Sequence, residues 1–117
     1  HWCGGTIISD TWILSAAHCF TKNRILVRVG DHHHKKEDLD EQHFEVEELI
    51  LHENYQRSTH DNDIALIKIK PNRAGKRIIF SNYVQPACLP SSNQLYKVGE
   101  RCLISGWGDL GDGINIH

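Results

Sequence analysis

The most constraining feature of this chain is an alternation of apolar and polar residues with a period of two, confined to short runs. In IALIKIK (64–70), Ala65, Ile67 and Ile69 fall on one face, while Lys68 and Lys70 fall on the other. In RILVRV (24–29), Ile25, Val27 and Val29 alternate with Leu26 and Arg28; in FEVE (44–47), Phe44 and Val46 alternate with Glu45 and Glu47. Successive side chains of a strand point to opposite faces, so this pattern predicts half-buried antiparallel sheet, not amphipathic helix. TIIS (6–9), WILSA (12–16) and CLISGW (102–107) are further strand candidates. Turn signals punctuate the runs at Ser9-Asp10, Asn23, Gly30-Asp31, Pro71-Asn72, Gly75, Pro90 to Asn93 and Gly99. Many short strands so divided predict an all-β barrel or sandwich.

Composition removes several functions. The net charge of -2, with His neutral, lacks the basic excess of a nucleic-acid binder. No apolar run reaches the roughly 18 residues that a membrane span needs. No leader precedes HWCGG and the chain does not open on Met, so the expectation is a processed product or a fragment. With 117 residues, the chain has the length of about one small domain with a modest core.

Four cysteines stand at 3, 19, 88 and 102, none in a CxxC pair, which argues against a zinc ribbon or a thioredoxin-type motif. Cys3 and Cys19 bracket two apolar runs, as a disulfide closing a hairpin would. In the chain-entropy account such a loop contributes about 3 kcal/mol. Disulfides would place the protein in an oxidising compartment; four reduced buried thiols are the alternative.

The segment DHHHKKEDLDEQ (31–42) is polar and charge-rich and reads as a long surface loop, a length at which loops are often functional. The tail GDLGDGINIH (108–117) has three glycines and no evident partner strand.

The chemistry of the chain centres on SAAHCF (15–20). His18 has three readings: a packed core histidine, a metal ligand, or a base. A base needs a carboxylate on its other ring nitrogen, to fix the tautomer and stabilise the charged form. Asp63, which opens the apolar strand of DNDIALIKI, is a carboxylate in a suitable setting, 45 residues further on.

WILSAAHC (12–19) and DNDIAL (61–66) resemble two signature segments of the chymotrypsin-like, trypsin-fold serine endopeptidases. CGGTIIS (3–9), VRVGDHH (27–33), LHENY (51–55), VQPACLP (84–90) and CLISGWG (102–108) resemble other pieces of that family, in the same order. AAHC, DIAL and GWG together are highly specific; any one alone is weak. The resemblance implies the first six-stranded antiparallel barrel of a two-barrel fold, truncated after the first strand of the second. Residues 1–90 would hold the first barrel and the inter-barrel connection, and 91–117 the start of the second. It also implies that His18 is the general base, Asp63 its orienting carboxylate, Cys3–Cys19 a disulfide tethering the histidine loop, and Ser15 a structural hydrogen-bonding residue. Asp61 does not fit the motif and is expected in a turn.

In that family the nucleophile is the serine of a GDSGGP segment. Nothing in these 117 residues matches it. GDLGDG (108–113) offers only Leu110, which has no nucleophilic atom, at the corresponding place. The resemblance therefore implies about half a catalytic domain, inactive on its own and prone to aggregate through its uncovered interior. It further implies a secreted, extracellular parent acting on protein or peptide substrates under the control of protease inhibitors. Cys102 would pair with a cysteine of the second barrel, and Cys88 would link a disulfide-bonded upstream chain.

The loop at 31–42 takes the position of a calcium loop in trypsin-like members. Asp31, Asp38 and Glu41 are the candidate ligands, with Glu37 and Asp40 beside them; a solvated charged loop is the alternative. No cofactor is required. His32, His33 and His34 make a poor preformed zinc site, since adjacent residues of an extended strand point apart, and only adventitious metal capture is expected of them. Two other functions stay open: a non-catalytic protease homologue acting as a secreted binding module, and a metal-binding secreted domain. The second leaves AAHC, DIAL and GWG unexplained.

Overall fold

The computed structural model describes residues 3–20, 25–30 and 41–103. Five strands form there: β1 (Thr6–Ile7), β2 (Trp12–Ser15), β3 (Leu26–Val29), β4 (Gln42–Leu51) and β5 (Ala65–Ile69), with one 3-10 turn at Ala17–Cys19. They make a single antiparallel sheet in the order β1-β2-β5-β4-β3, so the all-β expectation holds. Among the described residues five strands stand where the first barrel was expected to have six. After β5 the described chain runs in turns, and its only pairing is the single bridge Ser81↔Val84.

The alternation works as its period requires. Ala65, Ile67 and Ile69 of β5 are buried, as are Val27 and Val29 of β3, while Leu26 is exposed. Across the sheet Ile13 pairs with Ile67, Ile67 with Leu49, Ile69 with Val46 and Val27 with Phe44. These pairs, with Ile78 and Val84, form the core. Fully burying one such aliphatic side chain contributes about 1.5–3 kcal/mol.

Strand β4 is longer than FEVE predicts, and a bulge explains why. Val46 pairs with Ile69, but Glu48 pairs with the next residue, Lys68, so Glu47 is an extra residue. Before the bulge the even-numbered Phe44 and Val46 point inward; after it the odd-numbered Leu49 does. The change of parity hides the second half of the strand from a period-two reading. The polar loop correspondingly ends one residue early, because Gln42 already opens β4; residues 31–40 lie outside the described residues.

The segment after β5 is stitched to the sheet. Ile78 N–H donates to Asp10 O (3.0 Å) and Ala87 N–H to Ile7 O (2.8 Å). The Gln42 amide bonds both backbone groups of Ile79, each at 2.9 Å. Ile78 and Val84 are thereby held in the core, which no alternation in that segment announces. At the other edge, a Cβ on Gly5 would lie 2.8 Å from Ile13 Cγ2, so only glycine lets the chain before β1 pass this close to β2.

The chain divides into two compact units, 1–87 and 88–117. In the second, residues 88–103 form turns, such as Gln94 N–H to Ser91 O at 3.1 Å, and each of them is exposed. Of the strand expected at 102–107, Cys102 and Leu103 are described and are not in a strand; the rest lies outside the described residues.

Candidate catalytic site

Sheet register brings the two candidate residues together. Ser15, the last residue of β2, pairs with Ala65, the first of β5. The chain leaving β2 turns at once into the Ala17–Cys19 3-10 turn, and Asp63 lies two residues before β5, so His18 and Asp63 meet at one end of this strand pair. Ala17 is buried and anchors the turn. Cys19 is bonded to Cys3, and Ser15 Oγ donates to Gly4 O (2.8 Å); both contacts fasten the histidine segment to the chain before β1. The expected disulfide and the structural role of Ser15 are both present.

The Asp63 carboxylate holds His18 at two points. Its Oδ1 accepts the His18 backbone N–H at 2.8 Å, and its Oδ2 lies 2.6 Å from His18 Nδ1. Asp63 is therefore kept below its ordinary pKa, first by the backbone N–H of His18 and then by the bond to its ring; partial burial opposes this. The His18 side chain is 51 % exposed, which excludes a packed core histidine. Cys19 Sγ lies 3.8 Å from Nε2, and Cys3 Sγ is close by, but both sulfurs are spent in the disulfide and neither offers a thiolate to a metal. An imidazole oriented through Nδ1 by an ionised carboxylate, with Nε2 at a half-exposed surface, is built to accept and return a proton.

Two features of the structure go beyond what the sequence pattern announces. The ring of His60 lies parallel to that of His18, with 5.8 Å between centroids and 6° between planes. His60 sits in the polar turn ahead of Asp63, and only its nearness in sequence to Asp63 hinted at it. Asp61 is in this turn as expected, bridged to Gln56. The second feature is an ion-pair cluster elsewhere on the sheet. Glu41 Oε1 accepts from Arg28 Nε at 2.8 Å and lies 3.2 Å from His43 Nε2. The register hinted at this one: Arg28 pairs with His43 across β3 and β4, and Glu41 is two residues before His43.

That cluster bears on calcium. Asp31 and Asp38 lie outside the described residues, as do His32, His33 and His34. Glu41 is described, its side chain is only 3 % exposed, and its Oε1 is already engaged by a guanidinium and an imidazole. A calcium ion on that oxygen would meet the Arg28 charge at close range, so Oε1 as it is engaged here is a poor donor for the ion. Cys88 and Cys102 are free and exposed.

Comparison with known proteins agrees with this geometry. A family model described as Trypsin matches residues 1–115. Ovochymase of Halocynthia roretzi is 47 % identical over 98 % of this chain, which covers 8 % of that protein. Trypsin-3 of Salmo salar is 44 % identical over 94 % of the chain and 43 % of its own length, and Serine protease 1 of Rattus norvegicus is 44 % identical over 98 % and 44 %. A solved structure reported as "Structure of GrC" superposes with a TM-score of 0.85 at 31 % identity, covering 98 % of this chain and 48 % of that one. The chain thus spans less than half the length of these relatives.

Proposed function

The chain belongs to the trypsin family, and on that premise we propose that it supplies the base half of a Ser-His-Asp triad that hydrolyses peptide bonds. The observation that carries this reading is the 2.6 Å contact between His18 Nδ1 and Asp63 Oδ2 on a half-exposed imidazole. His18 Nε2 takes the proton of a serine hydroxyl as that oxygen attacks the substrate carbonyl carbon, and later gives it to the leaving amine. Asp63 stays ionised throughout; it holds the ring through Nδ1–H and stabilises the imidazolium. The bond from the His18 backbone to Oδ1 keeps the carboxylate from swinging away. No residue here matches the family's GDSGG serine, so in this reading the nucleophile and the oxyanion donors come from residues beyond these 117. The chain alone then hydrolyses no peptide.

The Cys3–Cys19 disulfide supports a secreted, extracellular setting. Among the described residues no helix is long and apolar enough to cross a membrane. Protein or peptide substrates, and inhibitors that occlude the site, follow from the same reading, and exposed Cys88 is available to an upstream chain.

The test is to read the transcript past His117 in frame and express what it encodes. We expect a second half carrying GDSGG, and peptide hydrolysis abolished both by a serine-directed phosphonylating reagent and by His18→Ala. A second half without that serine would overturn the enzyme reading and leave a binding module built on the same fold.

A further inference from the structure

His60 lies against the site, and the proposed chemistry does not use it. The bond from Asp63 Oδ2 to Nδ1 fixes one edge of the His18 ring, but half of that side chain faces water and the terminal torsion of a histidine is broad. The edge bond alone leaves the ring plane loosely set.

His60 supplies the missing restraint. Its ring lies 6° from parallel at 5.8 Å, within the offset-stacking range of aromatic pairs. The turn that presents it is closely held. His60 N–H donates to Gln56 O at 2.7 Å, Gln56 N–H to Asp61 O at 3.0 Å, and Asn62 Nδ2 to Asn54 O at 3.0 Å. His60 and Asn62 both take left-handed backbone angles, φ 60° and 56°, which non-glycine residues adopt rarely and mostly at constrained sites. Asp63 follows directly. One strained turn therefore delivers both grips on the imidazole, the Asp63 carboxylate at its edge and the His60 ring against its face.

We infer that His60 is a positioning residue: by stacking on His18 it sets the plane in which Nδ1–H meets Asp63 and so fixes the direction in which Nε2 points. This rests on the reading of His18 as the base. A flat aromatic ring suffices at position 60, and no charge or hydrogen bond from His60 is needed.

The experiment is NMR on the isotope-labelled 117-residue chain at fixed pH and temperature. A far-downfield Nδ1 proton of His18, held by Asp63, is expected in the unaltered chain; its absence would overturn the base reading itself. Cross-relaxation between the ring protons of His18 and His60 is also expected, and its absence would overturn the inference without any variant. His60→Ala should lose the downfield proton to exchange with water while the backbone amide signals of β2 and β5 stay in place, and His60→Phe should retain it. A downfield signal that survives in folded His60→Ala, or that disappears in His60→Phe, would show that stacking does not position the ring.

Discussion

Among the described residues, two carboxylates hold a histidine, and their surroundings differ. Asp63 is 23 % exposed, bonds the backbone and ring of His18, and has no Lys or Arg partner among the described residues. Glu41 is almost wholly buried and divides one oxygen between His43 and the permanent cation of Arg28. A carboxylate already neutralised by a guanidinium gains little from a second positive charge. One held by an amide and an imidazole, with no Lys or Arg partner among the described residues, stabilises the imidazolium when it forms. The same pair of residue types is thus suited to proton transfer at one end of the β2–β5 pair and to structure across β3 and β4.

The largest expected effect breaks the first pair. In a protein that carries this chain together with its serine, Asp63→Asn keeps the shape but reverses the hydrogen-bond preference at Nδ1. Turnover should fall on the order of 10⁴-fold, the figure known for this exchange in the Ser-His-Asp template. Steady-state kinetics on folded protein checks it. The equivalent change at Glu41 should leave turnover per folded molecule within about twofold, since it touches no reacting group.

The next effect breaks the second pair. Arg28→Ala takes the guanidinium away from the buried Glu41 carboxylate, and the unfolding free energy should fall by about 3 kcal/mol in urea titrations. A loss below about 1 kcal/mol would mean that His43 and water compensate, and the contrast between the pairs would collapse. Calcium sharpens the same point. An ion bound to the folded state raises the melting temperature with its concentration. The unaltered chain should show no such rise, and Arg28→Gln, which removes the guanidinium charge from beside Glu41 Oε1, should permit one. A calcium-dependent rise in the unaltered chain would mean that the loop at 31–42 binds the ion despite Arg28.

A comparable effect lies beside the site. Replacing Cys3 and Cys19 by alanine opens a loop between cysteines 16 positions apart and should cost about 3 kcal/mol. His18 is next to Cys19, so the substitution should also weaken its Nδ1 signal. An unchanged signal would assign the positioning of the histidine to Asp63, His60 and the sheet register without the disulfide.

How much of this was legible depends on whether a residue's role is local. Strands β3 and β5 were readable because each residue's face follows from its parity. Half of β4 was not, because the bulge at Glu47 reverses that parity and the reason lies in the partner strand. His18 and Asp63 were readable from the segments around them, but the distance between them is a product of the Ser15↔Ala65 register. The Arg28–Glu41–His43 cluster needs the β3–β4 pairing before its members become neighbours. His60 lies in a polar turn with no period at all, and two left-handed residues decide where its ring goes. Ile78 and Val84 reach the core through backbone bonds to Asp10, Gln42 and Ile7 that no spacing encodes. Around residues 88–103 the turn signals were legible, while the exposed Leu95, Val98 and Leu103 gain no cover from the described residues of their unit.

The smallest predicted effect concerns acid, and it separates the two grips of Asp63. The folded-state pKa of Asp63 lies below its unfolded value of about 3.9. The pair therefore contributes stability in full above that unfolded value, and loses it as pH falls through the folded one. Urea midpoints measured between about pH 6 and about pH 2 should fall less steeply for Asp63→Asn than for the unaltered chain. The difference should be modest, since water reaches this carboxylate and screens it. The backbone N–H of His18 is the largest single cause of the lowered value, with the bond to its ring next. His18→Ala removes the ring and keeps the amide, so it should preserve part of the acid sensitivity that Asp63→Asn removes. If His18→Ala instead removes all of it, the imidazole and not the backbone holds Asp63 ionised. The carboxylate would then be fixed only as firmly as the ring it is meant to orient, and the division of labour between the Asp63 edge bond and the His60 face would have to be drawn the other way.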